Sequence, residues 1–244
     1  MRPNLVTHWA RRRSVPILAA VYTLLTLGGM AAPAAQAQTA PSSAQVSAYR
    51  GLHSAAHKGD AAQLRKLIGA GLDLNARDGF GRTPLHVATF ARQREAIGLL
   101  IKAGADPALL ENDRYDALTI AAVANDEETL RLLLTHGASA RLVTSRYDGT
   151  ALIAAAHLGH AGIVKQLIAA GAPLDHVNNL HWTALIEAIV LGDGGQGHQQ
   201  IVRDLLVTGA SPHLSDRQGT TPLALARARG FDAMVRLLEA AGAK

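Results

Sequence analysis

The chain of 244 residues contains no cysteine, so disulfide bonds and a cysteine nucleophile are both excluded. Its formal net charge of +5 at pH 7 depends on an N-terminal segment that holds four arginines and no acidic residue. Removing those four leaves 20 of the 24 Lys and Arg residues against all 19 Asp and Glu residues. The rest of the chain is therefore almost neutral, which does not favour nucleic-acid binding.

The N-terminal segment, residues 1–37, has the three parts of a secretory signal peptide. A basic start is followed by an apolar run over residues 15–30, and Ala35 and Ala37 form a small-residue cleavage site. We therefore predict cleavage after Ala37 and export to the bacterial periplasm. The alternative is an uncleaved inner-membrane anchor, because residues 14–35 are long enough to cross a bilayer.

After this segment the sequence becomes repetitive. Residues 38–45 are polar and poor in apolar side chains, which is typical of a short flexible linker. Residues 46–244 repeat with a period of about 33 residues. One register of the repeat is a glycine, at Gly71, Gly104, Gly137, Gly171, Gly209 and Gly242. A second register is a leucine, at Leu52, Leu85, Leu118, Leu152, Leu185 and Leu223. This self-similarity predicts one domain of about six stacked units.

The second unit shows how each repeat is built. Residues 78–82 contain two glycines and predict a turn. Thr83 is suited to cap a helix whose first residue is Pro84, and Leu85 begins its apolar face. A second apolar helix follows, and Gly104 stands where a left-handed C-terminal cap is expected. Each unit is therefore predicted to be turn, helix, turn, helix and loop.

These motifs resemble the ankyrin repeat. The likeness rests on Thr-Pro-Leu-His at residues 83–86, Thr-Pro-Leu at 221–223 and Gly-His at 159–160, and it covers residues 52–244. The loop over residues 143–152 resembles loops of exported bacterial ankyrin-repeat proteins. The resemblance implies an all-α solenoid of paired helices joined by projecting hairpin loops. It also implies protein binding, but it does not identify a partner.

Aromatic residues are scarce in the repeats and fall on one predicted surface. Four of them lie on four successive hairpins, and Phe90 and His157 share one repeat position on the face that is concave in this family. Arginine and histidine residues lie beside them, and such mixed patches commonly carry binding energy. The predicted partner-binding residues are Phe80, Arg82, Phe90, Arg114, Tyr115, Arg146, Tyr147, His157, His181 and Trp182. The alternative is that the hairpin aromatics pack on neighbouring loops and stiffen the stack.

The fifth unit carries a glycine-rich insertion and an unusual carboxylate. The insertion matches G-x-G-x-x-G, but a helix precedes it, so a dinucleotide site is not favoured. It precedes another helix whose free N–H groups suit an anion, or else it is a mobile surface loop. Glu187 stands where sibling units are apolar, so either local amides satisfy it or it belongs to a small-ligand site. The residues of this possible ligand loop are Glu187, Gly192, Asp193, Gly194 and Gly197, with His157 and His181 as possible partners.

No catalytic site, metal site or cofactor is predicted. His53 and His57 have the spacing of metal ligands on a helix, but His53 is the standard capping histidine of the repeat and no third ligand is evident. The sequence contains neither G-x-S-x-G nor H-E-x-x-H. We therefore expect a monomeric, non-enzymatic module that binds another protein. The alternative function is a small-ligand or anion binder centred on the insertion and Glu187.

Overall fold

The computed structural model describes residues 38–244, and these residues form thirteen α-helices. The helices are α1 Ser43–Ala48, α2 Gly51–Lys58, α3 Ala61–Gly69, α4 Pro84–Phe90, α5 Arg94–Lys102, α6 Ala117–Val123, α7 Glu127–Thr135, α8 Ala151–His157, α9 Ala161–Ala169, α10 Ala184–Val190, α11 Gln196–Val207, α12 Pro222–Ala228 and α13 Asp232–Ala240. In this part of the chain no helix has the length and hydropathy needed to cross a membrane. The predicted signal peptide lies outside the described residues.

Twelve of the helices form six pairs that stack in two rows. The even-numbered helices from α2 to α12 form one row, and the odd-numbered helices from α3 to α13 form the other. Each helix packs against its pair partner and against its neighbours in the same row. Such packing buries an apolar face that no single pair could bury alone. The prediction of an all-α solenoid of about six units is confirmed.

The first helix of each pair from the second unit onward begins at a side-chain cap. The Thr83 hydroxyl accepts from the backbone N–H three residues later, and Pro84 follows as the first helical residue. Threonine fills the same position in the fourth, fifth and sixth units. In the third unit, whose sequence departs from the family pattern, Asp116 accepts from the Thr119 N–H instead. An aspartate therefore preserves the helix start there, because its carboxylate is as good an N-cap as a hydroxyl.

The two repeating registers have separate structural reasons. The six repeated glycines all lie just beyond the second helix of a unit, with φ between 76° and 102°. Only glycine adopts this left-handed conformation without steric cost. The six repeated leucines are at most 4% exposed and form one continuous core. Each buried leucine contributes roughly 1.5–3 kcal/mol to stability, so periodicity in the sequence becomes periodicity in the core.

The segment before the repeats differs from the flexible linker that the sequence predicts. Helix α1 begins at Ser43, and the side chains of Ser42 and Gln45 form a reciprocal capping box at its start. Arg82 donates hydrogen bonds to the Thr39 carbonyl oxygen at 2.7 Å and to Gln45 Oε1 at 3.2 Å. The second half of the predicted linker is thus partly helical and bonded to the second repeat.

Candidate functional site: the hairpin surface and the Glu187 cluster

Five hairpin loops share one hydrogen-bonding pattern. They precede helices α4, α6, α8, α10 and α12. Asp78 Oδ1 accepts from the backbone N–H groups of Phe80 and Arg82, each at 2.8 Å. The equivalent acceptors in the later hairpins are Glu111, Ser145, Asn178 and Asp216. These bonds fix the loop backbones before any partner binds. We call these loops the hairpin surface, which comprises residues 78–82, 111–115, 144–149, 178–182 and 216–220.

The hairpin aromatics lie at two levels. Phe80 and Tyr147 occupy the loop tips, and the Phe80 side chain is exposed. Tyr115 and Trp182 lie at the loop base, where their carbonyl oxygens accept the bonds that close the hairpins, and both are half-buried. Burial also raises the pKa of the Tyr115 hydroxyl. Tyr147 is half-buried as well, so of these four rings Phe80 projects furthest toward a partner, and the other three pack partly against the stack.

Arg82 lies in a different environment from the one that its sequence position suggests. It is 3% exposed, and Thr39 and Gln45 accept hydrogen bonds from its guanidinium group. Its guanidinium carbon lies 4.8 Å from the centre of the Phe80 ring and 5.6 Å from that of the half-buried Phe90. The structure thus corrects the assignment of Arg82 to the partner-binding set. The cation–π contacts hold Arg82 within the second repeat, and its hydrogen bonds to Thr39 and Gln45 fasten residues 39–45 to that repeat.

Three hairpins hold non-glycine residues in the left-handed conformation. Gly81 and Gly219 have φ of 73° and 78°, and the equivalent residues are Arg114 at 66°, Asp148 at 52° and His181 at 64°. This conformation costs a side-chain-bearing residue roughly 1–2 kcal/mol. Arg114 and His181 are exposed, so no core packing offsets that cost. Strain of this kind at exposed positions is a reason to look for a functional role.

Glu187 is buried on α10, and only one of its two carboxylate oxygens accepts a hydrogen bond. Asn178 donates its side-chain amide to Glu187 Oε1 at 2.9 Å. Oε2 lies 3.7 Å from His157 Nδ1, which is too long for a hydrogen bond. Burial raises the pKa of Glu187 to about 7, although the bond from Asn178 acts in the opposite direction. Burial, followed by the nearby His198 and His160, lowers the pKa of His157, so the two side chains do not form an ion pair at neutral pH.

The glycine-rich insertion is held by interactions that the sequence did not reveal. Asp193 Oδ1 accepts from the Gly195 N–H and contacts His198 Nδ1, both at 2.8 Å. The other ring nitrogen of His198 contacts the His157 carbonyl oxygen at 3.0 Å. Asp193 thus places the chain's own carboxylate beside the start of α11, whose N-cap residue is Gly195. The sequence-based alternative of an anion at this helix start loses its support, because an anion would meet that negative charge.

Close packing explains the glycines of the insertion. A Cβ atom at Gly192 would collide with the Ala188 carbonyl oxygen, and one at Gly194 would lie 2.6 Å from the Phe231 ring. A Cβ at Gly197 would lie 2.8 Å from the carbonyl oxygen of Gly159 in the preceding unit. The loop is therefore folded against its neighbours. Asp193 contacts His198, whereas Glu187 contacts Asn178, so the two carboxylates of the predicted ligand loop belong to different clusters. Across residues 38–244, no group of three or more His, Cys, Asp or Glu side chains is arranged to hold a metal ion.

Comparison with known proteins establishes the family. A family model described as ankyrin repeats (3 copies) matches residues 52–144 and 118–206. The putative ankyrin repeat protein YahD of Escherichia coli K12 is 40% identical over 190 residues, which are 78% of this chain and 94% of that protein. The chain belongs to the ankyrin-repeat family. Ankyrin repeats generally mediate protein–protein interaction and typically form a non-enzymatic binding fold.

Solved structures agree with this family. An ankyrin repeat domain from Acinetobacter baumannii AYE has 46% sequence identity and a TM-score of 0.76, covering 79% of this chain and 98% of that domain. The ankyrin repeat protein EF0377 has 32% identity and a TM-score of 0.73, covering 78% of this chain and 98% of that protein. These similarities extend over nearly the whole of both structures.

Proposed function

We propose that this protein is an exported, monomeric interaction module that binds another protein through the hairpin surface of its second to fifth repeats. The observation that carries the proposal is the left-handed backbone of His181 on that surface. Glycine at this position would avoid the conformational cost, so the exposed His181 side chain is a candidate for a use outside the fold, whereas Arg114 already pairs with Asp148 on the next hairpin. Phe80 and Tyr147, at the hairpin tips of the second and fourth units, supply the apolar contacts of a binding patch.

The experiment compares capture of a partner from a periplasmic extract by three forms of the protein. The test form carries Phe80→Ala and Tyr147→Ala, which remove both tip rings. The matched control is Val207→Ala, because Val207 is 80% exposed at the end of α11, on the other row of helices. We expect one protein to be retained by the wild type and by the control and to be lost, or weakened at least about tenfold, with the tip variant. Equal retention by all three forms would assign binding to another surface.

A triple variant tests the alternative that the hairpin rings stiffen the stack. It replaces Tyr115, Tyr147 and Trp182 by alanine. We expect its affinity for the partner to fall further than the decrease in the folded fraction alone would explain. Unfolding by urea gives the folded fraction, and calorimetric titration with the captured partner gives the affinity. Normal affinity together with reduced stability would support the packing role instead.

Location is part of the same proposal. We propose that the signal peptide is cleaved after Ala37 and that the mature protein works in the periplasm, where it needs no disulfide. Mass spectrometry of the protein recovered from its native cells tests this location. A mature N-terminus at Gln38 in the periplasmic fraction is the expected result, and an intact Met1 in the membrane fraction would favour the uncleaved anchor.

A further inference from the structure

One oxygen of Glu187 has no partner within the described part of the chain. The Glu187 side chain is 6% exposed, and Oε2 accepts no hydrogen bond from residues 38–244. A buried carboxyl oxygen without a donor is costly, so a chain without a use for it would hold an apolar residue here. The equivalent residues in the second, third and sixth units are Val87, Ile120 and Leu225. The first and fourth units have Ser54 and Ala154 here, so only the fifth unit holds a carboxylate.

A second change, at Asn178, accompanies Glu187. The equivalent hairpin residues of the second, third and sixth units are the acids Asp78, Glu111 and Asp216. Asn178 Oδ1 accepts from the backbone N–H groups of Leu180 and Trp182 at 3.0 and 2.9 Å. That arrangement leaves the amide N–H₂ as the group that faces Glu187. An acid at this position would repel Glu187, whereas the amide holds it in one orientation.

His157 covers the remaining oxygen. It is the last residue of α8, its side chain is 32% exposed, and its ring makes no hydrogen bond to another described residue. Nδ1 lies 3.7 Å from Glu187 Oε2, so the ring covers this oxygen without a hydrogen bond to it. Guanidinium and ammonium groups carry several N–H donors and a positive charge, and they suit an ionised carboxylate better than any neutral group. The ring is partly exposed and makes no hydrogen bond, so its rotation is the route to Oε2 in the proposal below.

We propose that Glu187, His157 and Asn178 form a binding site for a cationic side chain, a guanidinium or ammonium group, of the partner protein. The proposal rests on the function proposed above and adds the chemistry of one partner residue. The cation enters beside the hairpin surface, displaces the His157 ring and bonds to Glu187 Oε2. Asn178 keeps the carboxylate oriented throughout.

Binding of a cation at this site is coupled to a proton. With the pKa of Glu187 at about 7, roughly half of the carboxyl groups carry a proton at neutral pH. An entering cation requires the ionised form, so binding releases that proton and affinity rises with pH. The other titratable groups nearby are His157 on α8, His160 at the start of α9 and His198 on α11, and both His157 and His160 have a lowered pKa. His157 and His160 are therefore neutral above pH 7 and do not oppose a cation there.

The test uses butylguanidinium as the probe and its neutral analogue butylurea as the reference. Titration of the ¹⁵N-labelled protein is followed by NMR at the Asn178 side-chain amide and at the backbone around His157. We expect saturable shifts with butylguanidinium, at least about tenfold weaker binding of butylurea, and about tenfold tighter binding of butylguanidinium at pH 8 than at pH 6. Glu187→Gln keeps an acceptor for Asn178 but removes the charge, and it should weaken the probe at least about tenfold.

The control variant is Glu95→Gln, which removes an exposed carboxylate on α5 that pairs with Arg65, and it should bind the probe as the wild type does. His157→Phe provides a second variant with Glu187 intact, because Phe90 occupies this repeat position in the second unit. A phenyl ring over Oε2 is more costly to displace into water than an imidazole, so this variant should also weaken binding of the probe. Absence of localised shifts in the wild type, or unchanged binding in Glu187→Gln, would overturn the proposed site. Partner capture by the Phe80 and Tyr147 variant tests the proposed function, and the butylguanidinium titration tests the Glu187 site. The two results are independent, so either proposal can fail without the other.

Discussion

Arg146 donates a hydrogen bond of 2.6 Å to Asp113, which lies on the preceding hairpin. The reverse pair lies beside it, with Arg114 Nη1 at 3.1 Å from Asp148 Oδ1. Each of the two hairpins thus gives one arginine and one aspartate to the other. Arg114 and Arg146 lie on the surface, as the sequence indicates, but their charges are already paired across a repeat boundary. A partner that uses these arginines has to compete with the aspartates.

The reciprocal pairs should contribute modestly to stability. All four side chains are at least 35% exposed, and exposed ion pairs contribute about 0–1 kcal/mol. We expect a double-mutant cycle with Asp113→Asn and Arg146→Gln to give a coupling energy of about 0.2–1 kcal/mol from urea unfolding. The coupling should shrink in 1 M salt, where charges are screened within about 3 Å. A coupling energy that is unchanged by salt would contradict an exposed electrostatic origin.

His181→Gly should stabilise the fold while it weakens partner binding. Its φ of 64° is adopted freely by glycine, so we expect a gain of about 0.5–1 kcal/mol in unfolding free energy. Gly219→Ala is the matched opposite change, because Gly219 has φ of 78° and an added Cβ atom would meet no atom within 4 Å. Its free energy of unfolding should fall by a similar amount. Urea unfolding of both variants checks the signs. A destabilised His181→Gly variant would show that the His181 side chain supports the fold.

Glu187 should make the protein less stable as pH rises from 4.5 toward 7. Its pKa is raised from 4.5 to about 7 in the folded state, so over this range the folded protein keeps a proton that the unfolded chain releases. The resulting loss reaches up to about 3 kcal/mol above pH 7. Glu187→Gln should remove this slope and leave stability below pH 4.5 unchanged.

The measured quantity is the difference in unfolding free energy between wild type and Glu187→Gln across pH 4–8. Comparison with the wild type is needed because buried His86, whose pKa falls to about 4, gives the opposite slope in both proteins. Its neutral folded form contributes stability above pH 6.5 that is lost as pH falls toward 4. A difference that does not vary with pH would mean that Glu187 is hydrated and ionises normally.

Gly192→Ala should be destabilising, whereas Gly195→Ala should be tolerated. A Cβ atom at Gly192 meets the Ala188 backbone oxygen, which cannot move without distorting α10. We expect a loss of about 1–3 kcal/mol. At Gly195 the nearest atom is a side-chain oxygen of Asp193 at 3.0 Å, and a flexible side chain can shift. Thermal unfolding of the two variants makes the comparison, and equal melting temperatures would show that the insertion is not packed in solution.

The sequence by itself determined the repeat architecture. The period of the leucines and glycines predicted the helix pairs, because a repeated unit needs the same core residue and the same left-handed cap each time. Helix starts such as Thr83–Pro84 followed from local hydrogen bonding and a fixed proline φ. The anomaly at Glu187 was also visible, since one carboxylate in a register of apolar residues is conspicuous in any alignment of the repeats.

Only the tertiary structure decided what surrounds the individual polar side chains. Arg82 and Arg114 looked alike in sequence, but Arg82 is buried and bonded to Thr39 and Gln45, whereas Arg114 pairs with the next hairpin. Asn178 was missed, although a comparison of the hairpin positions would have shown one amide beside three acids and one serine. Contacts between units depend on where distant segments meet, and a local pattern does not contain that distance. The repeat period therefore fixes the stack, and the packing between units assigns each polar group its partner.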